Sequence, residues 1–191
     1  ASTDFTIHRL DLGSHAWVNT GVALDDRPGS RADTLWDGSK LYVASHVFST
    51  APATGYPSRL YRYSYDPATD GYSLDAGFPV AINDYRTETL VIDKDSTGRL
   101  WATWTRGGKV WVNRTTGSDL SWGTAFTPAV IGTTVSSDDI SAVIAFGPGK
   151  IGVLWSNQAD DAMYFAVHID GDPDTTWQGS KQAIAGPGNA A

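Results

Sequence analysis

The chain has no cysteine, which excludes disulfides, thiolate zinc sites and cysteine nucleophiles together. Its four histidines (His8, His15, His46, His168) are scattered, with no pair at ligand spacing in one element, so a catalytic zinc site is not expected. There is no Gly-x-Ser-x-Gly elbow, and "GPGK" at 147–150 lacks the other positions of a phosphate-binding loop. Long apolar runs are missing too. Nothing approaches the roughly 20 residues that span a bilayer, and residues 1–10, "ASTDFTIHRL", lack the basic and apolar regions of a signal peptide. Positive charge is also scarce: 14 basic against 21 acidic side chains leave a net charge of −7. A charge-driven grip on nucleic acid or an anionic membrane is therefore disfavoured. The expected ligand is neutral, or its charge is met by a local basic spot.

What is present points to strands. Eight Trp, 8 Tyr, 20 Gly and 9 Pro in 191 residues combine side chains that suit strands with residues that punctuate turns. The length suits one domain with one good core, or part of a larger one. Three segments repeat: "KLYVASHVF" from Lys40, "RLWATWT" from Arg99 and "KIGVLWS" from Lys150, offset by 59 and 51 residues. Each follows a turn containing Gly38, Gly98 or Gly149, and each is flanked by an apolar strand before and an aromatic strand after. A fourth element recurs around Trp17, Tyr72, Trp122 and Trp177, at offsets of 55, 50 and 55.

A unit of about fifty residues with four short strands, in inner-to-outer order A, B, C and D, is the signature of a β-propeller blade. The expected fold is all-β, a single partial propeller over 1–191. Its blades are read at 5–24 (strands C and D only), 31–82, 86–131 and 138–185. Three and a half blades cannot close a ring, and open strand edges are a liability. The chain is therefore expected to be part of a six- to eight-bladed ring, its open edges covered by the remaining blades or by a second copy. The tail at 186–191, "GPGNAA", stops where another A strand is expected.

The C-to-D turns, "DLGSHAW" (11–17), "DPATDGYS" (66–73), "TTGSDLSW" (115–122) and "DGDPDTTW" (170–177), resemble degenerate Asp-box turns of the sialidase-like (BNR-type) β-propellers. The Asp and the aromatic are present, while the Gly is displaced or missing. The resemblance covers nearly the whole chain at the level of blade layout. It implies a secreted, bacterial protein, and it makes these turns structural, on the face away from any active site.

In blade topology the D-to-A and B-to-C connections share one face, where ligands of propellers tend to bind near the axis. Arg86 and Glu88 sit at the start of one inner strand, and Arg31 and Asp33 are read at the same place in the preceding blade. Counting 11 residues back from Arg99 and from Lys150 reaches Glu88 and Asp139, with Asp138 and Tyr85 alongside. Such a ring of acids and arginines either knits blades together around a wet channel or binds a polar ligand, most simply a glycan. The ligand-binding candidates are Arg31, Asp33, Arg86, Glu88, Asp138 and Asp139. Tyr56 joins them from the long B-to-C loop at 49–59, where it can stack on a sugar ring.

Three readings of function follow. The first is a carbohydrate-binding module without cofactor. The second is a glycoside hydrolase whose site is completed by other blades. The resemblance implies for that enzyme a Tyr nucleophile, its activating Glu and an Asp acid/base, for which Tyr85, Glu88 and Asp33 are the candidates, with Arg27 and Arg106 able to join Arg31 and Arg86. The third is an interaction scaffold, although the Gly-His and Trp-Asp signatures of WD repeats are missing. On the opposite face "DKDSTG" (93–98) matches the first half of a calcium loop through Asp93, Asp95 and Thr97, yet position twelve is Trp104 rather than Glu. An Asx-rich hairpin turn explains the same letters.

Overall fold

The structure, a computed structural model, describes residues 5–186; the last five positions of the tail, 187–191, lie outside the described residues. About half of the described residues form β-strands, and among them the one helical element is a short 3-10 turn (Gln158–Asp160). A hairpin of β1 (Thr6–Asp11) and β2 (Ala16–Ala23) comes first. It is followed by an antiparallel sheet of β3 (Ser30–Trp36), β4 (Lys40–Val47), β5 (Arg59–Asp66) and β6 (Gly71–Leu74), with β7 (Val80–Ala81) also pairing β5. The next sheet holds β8 (Val91–Lys94), β9 (Leu100–Arg106), β10 (Lys109–Thr116) and β11 (Ser118–Trp122). The last holds β12 (Ser141–Ala145), β13 (Lys150–Asn157), β14 (Ala162–Ile169) and β15 (Gln178–Ala185).

Each sheet is a meander in chain order, and the sheets stack face to face. The stacking is written into β9 by its period of two. Leu100, Ala102 and Trp104 pack with Tyr42, Ala44 and Leu60 of the preceding sheet, while Trp101 packs with Val143, Ile151, Val153 and Trp155 of the following one. A sheet buried on both faces shows a near-continuous apolar run instead of alternation, which is why "RLWATWT" looks apolar throughout. The β1–β2 hairpin covers the other face of the first sheet through Ile7, packed with Val43, Tyr61 and Tyr63. The first strands β3, β8 and β12 are neighbours, so the layout is propeller-like with those strands innermost.

Polar links fasten the sheets at their inner edges. Asp33 accepts a hydrogen bond from the Ile92 N–H at 2.9 Å, and Asp93 accepts one from the Ala145 N–H at 2.6 Å. In both cases an inner-strand carboxylate holds an amide of the next inner strand. A second clamp lies on the turn side, where Arg62 bridges Asp75 (2.6 Å) and Asp119 (2.9 Å) while the Tyr42 hydroxyl donates to Asp119.

This register corrects the repeat read from the sequence. Asp33 pairs across to Ala44, Val91 to Thr103 and Ala142 to Leu154. Each partner lies four residues after Lys40, Arg99 or Lys150, so Val91 and Ala142 are the true counterparts of Asp33. The first A-to-B turn, between paired Trp36 and Leu41, is only one residue shorter than those between Lys94 and Leu100 and between Ala145 and Ile151. Asp33 therefore lies inside its strand, three residues beyond the level of Glu88 and Asp139.

Candidate functional site

The B-to-C loop builds one wall of the axial face. It runs beside the D-to-A connection, with a Phe48–Thr87 bridge, a Thr54–Tyr85 bridge and an Arg86 N–H bond to the Ala53 carbonyl. Its base is tied to the first sheet by Arg27, which donates to the Pro57 carbonyl and is paired with Asp25 at 2.6 Å. Burial alone would push the Asp25 carboxyl up; its bonds from Arg27 and Ser45 outweigh that and hold it below the usual carboxylate range.

Three arginines on this face each lie over an aromatic ring: Arg31 over Phe48 at 3.8 Å, Arg86 over Tyr56 at 4.4 Å, and Arg106 over Tyr85 at 3.8 Å. Stacking of this kind orients the planar guanidinium and leaves its edge for hydrogen bonding. The loop residue Tyr56, exposed and at positive φ, is thus brought to Arg86. Glu88 stands among these groups. Burial, with a smaller push from Asp138, raises its carboxyl above the ordinary value against the pull of Arg31. Its main-chain carbonyl accepts from His46 Nε2 at 3.3 Å. His46 is only 4% exposed; burial, then Arg31 and Arg27, lower its pKa to about 4, so the ring is neutral and its Nδ1 is an acceptor.

Twelve buried side-chain polar atoms lack a partner among the described residues, and six of them gather here: Arg86 Nε, Thr87 Oγ1, Glu88 Oε2 and Thr89 Oγ1 in succession, with His46 Nδ1 and Arg106 Nε. Leaving such a group shielded and unpaired costs about 1–3 kcal/mol each, so the cluster marks this stretch as the place where the fold tolerates unmet polar demand.

The structure sets Glu88 near Arg31 and Asp138 and stacks Arg86 on Tyr56, and it engages the other candidates elsewhere. Asp139 is fully buried, and its carboxylate accepts from Ser136 N–H (2.6 Å), the Ser156 hydroxyl (2.7 Å) and Gln158 N–H. It caps its own sheet and has no room for a ligand. Asp33 latches onto Ile92 inside an axial cleft whose other walls include Val91, Val143 and Leu154. Burial, with Asp93 nearby, raises its carboxyl. Tyr85 packs against Trp104 and Arg106, with no hydrogen bond to Glu88, and burial pushes its hydroxyl up. A Tyr–Glu–Asp constellation of sialidase type is therefore not formed by Tyr85, Glu88 and Asp33.

The calcium candidates also diverge. Asp93 is spent on Ala145 and Lys94, while Asp95 accepts from Thr97, from the Arg99 N–H and, at 2.8 Å, from the Trp101 indole. No group of three or more His, Asp or Glu side chains forms a metal cage among the described residues. The letters that resemble a cation loop build an Asx turn seated on a buried Trp. Sequence reasoning missed His46, whose strand register placed it beneath Glu88, and Arg106 as a partner of Tyr85.

No family model matches the chain, and no curated protein matches it in sequence. Among solved structures, the GH43_1 enzyme from Xanthomonas citri matches in its complex with xylose and in its complex with xylotriose. Each match has a TM-score of 0.50 and 12% identity, over 93% of this chain and 64% of that one. The chain thus spans somewhat under two thirds of the length of these two structures. At this identity the likeness concerns fold alone, and that fold is a five-bladed β-propeller of glycoside hydrolases. The chain has a β-propeller-like all-β fold.

Proposed function

We propose that the axial face of this protein binds carbohydrate, with Arg31, Arg86, Glu88, Asp138 and Tyr56 as contacts. The observation that carries the reading is the run of unpaired polar atoms at 86–89, flanked by His46 and Arg106 and set among three arginine–aromatic stacks. Sugars offer hydroxyls that donate to carboxylates and accept from guanidinium edges, together with a C–H face that suits an aromatic ring. The fold neighbour, an enzyme seen with xylose and xylotriose, supports the same ligand class. A second reading, glycoside hydrolysis, is favoured by the raised carboxyl of Glu88 beside Asp138, since a carboxyl group of raised proton affinity beside a second carboxylate is the pairing that acid-assisted departure of a leaving oxygen uses. Secretion fits either reading.

One set of variants tests both. Arg86→Ala and Glu88→Gln should each lower retention on a glycan array at least about ten-fold, the equivalent of one lost charge-assisted hydrogen bond, with melting temperatures near wild type. Early unfolding of both variants, with no glycan ever retained by the parent, would show that the cluster is structural. Turnover of fluorogenic glycosides that disappears in Glu88→Gln would establish the hydrolase.

The binding face is completed, in this proposal, by further blades of the same ring. The outer face of the last sheet exposes Ile140, Ile144 and Ile184. At the other end a groove lined by Phe5, Ile7, Leu41 and Val43 runs along β1, whose inner edge has no partner strand among the described residues. The polypeptide isolated from its source should have an intact mass well above 20.4 kDa. A mass equal to that value would instead assign both open faces to a second copy.

A further inference from the structure

A second cleft, of about 370 Å³, lies between the D-to-A connection at 81–85 and the segment after β11. Its walls are held by Asn113, whose Nδ2 donates to the Ile82 carbonyl at 3.2 Å and to the Gly123 carbonyl at 3.1 Å. Asn83 lines the cleft with its amide orientation locked, because Oδ1 accepts from the Ser58 and Tyr85 N–H groups, both at 3.1 Å. That leaves Asn83 Nδ2 as a donor without a partner among the described residues, and the Trp122 indole Nε1 is in the same state. The lining also includes Ile82, Ala125 and the exposed Asp84.

We propose that this cleft is a second binding site, for a single neutral sugar ring. Two orphaned N–H donors call for acceptor oxygens, the Asp84 carboxylate calls for donors, and neighbouring hydroxyls, each both donor and acceptor, answer both kinds of group from one ring. Trp122, Ile82 and Ala125 supply the apolar wall for a C–H face. Asp84 disfavours an anionic ligand, and the volume sits at the small end of the range for ligand pockets. The site does not depend on the axial reading.

The test follows the indole N–H signals of the 15N-labelled chain while glucose, xylose, galactose and mannose are added separately to roughly 100 mM, enough to saturate a millimolar site. Trp122→Phe identifies the Trp122 signal. At least one sugar should move that signal saturably. Asp84→Ala should weaken binding about ten-fold, as expected for one charge-assisted hydrogen bond, whereas Arg86→Ala and Glu88→Gln should leave binding at this cleft unchanged, which separates this site from the axial one. A Trp122 signal that none of the four sugars moves overturns the proposal, as does a shift that Asp84→Ala leaves at wild-type affinity.

Discussion

Arg27→Ala is expected to destabilise the protein by about 3–5 kcal/mol, the cost of leaving a buried carboxylate without its ion partner. In a chain of this size that lowers the melting temperature by about 10 °C. Asp25 is 2% exposed and Arg27 is 7% exposed; the guanidinium donates through Nε and through its terminal nitrogen at 2.6 Å. The same side chain also reaches the Pro57 carbonyl, so the variant should loosen the loop that presents Tyr56. Thermal melts and limited proteolysis within 49–58 read the two effects separately. A double change, Asp25→Asn with Arg27→Ala, should recover part of the loss because no charge is then stranded. A single variant that melts like wild type would mean that the pair contributes nothing to stability.

Stability should also fall as the pH drops from about 6.5 to 4, by up to roughly 3 kcal/mol from His46 alone. The folded protein holds His46 at about 4 against an ordinary value of 6.5. Between those values the unfolded chain takes up a proton that the folded chain refuses, so acidification favours unfolding; the cost is complete once the pH is below the folded value. Urea unfolding at several pH values checks this. His46→Gln, which keeps a donor for the Glu88 carbonyl, should remove this slope and leave only the carboxylate contributions. The same slope in wild type and variant would show that His46 is not held neutral. Because Arg27 and Arg31 both depress His46, the Arg27→Ala variant should have a higher His46 pKa, linking the loop's anchor to the residue beneath Glu88.

The sheets were legible because blades repeat and because turns carry Gly, whatever surrounds them. Gly98 at φ 87° and Gly38 at φ 94° occupy turns that an L side chain enters only with strain. The register of the inner strands was not legible. Asp33 and Glu88 look equivalent when aligned on their distance from an arginine, but the first A-to-B turn is shorter by one residue rather than four. The C-to-D turns show the same ambiguity. Their acids and aromatics are spaced like Asp boxes, yet the carboxylate that receives an indole N–H is that of Asp95, in an A-to-B turn, while Asp174 in the last C-to-D turn receives the Trp177 indole through its main-chain carbonyl. A carboxylate and a Trp near each other in sequence do not specify which turn joins them.

By itself the sequence determined that this is an all-β chain of repeating antiparallel units and that cysteine chemistry is excluded. Those conclusions rest on local properties: side-chain period, turn residues and composition. The tertiary structure alone decided which acids are free. Asp139 and Asp33 are consumed by backbone amides and hydroxyls of their own or the next sheet, while Glu88 keeps an unpaired oxygen. Hydrogen-bond satisfaction depends on what the neighbouring sheet places within about 3 Å, and a carboxylate carries no mark in the sequence of the amide it will meet.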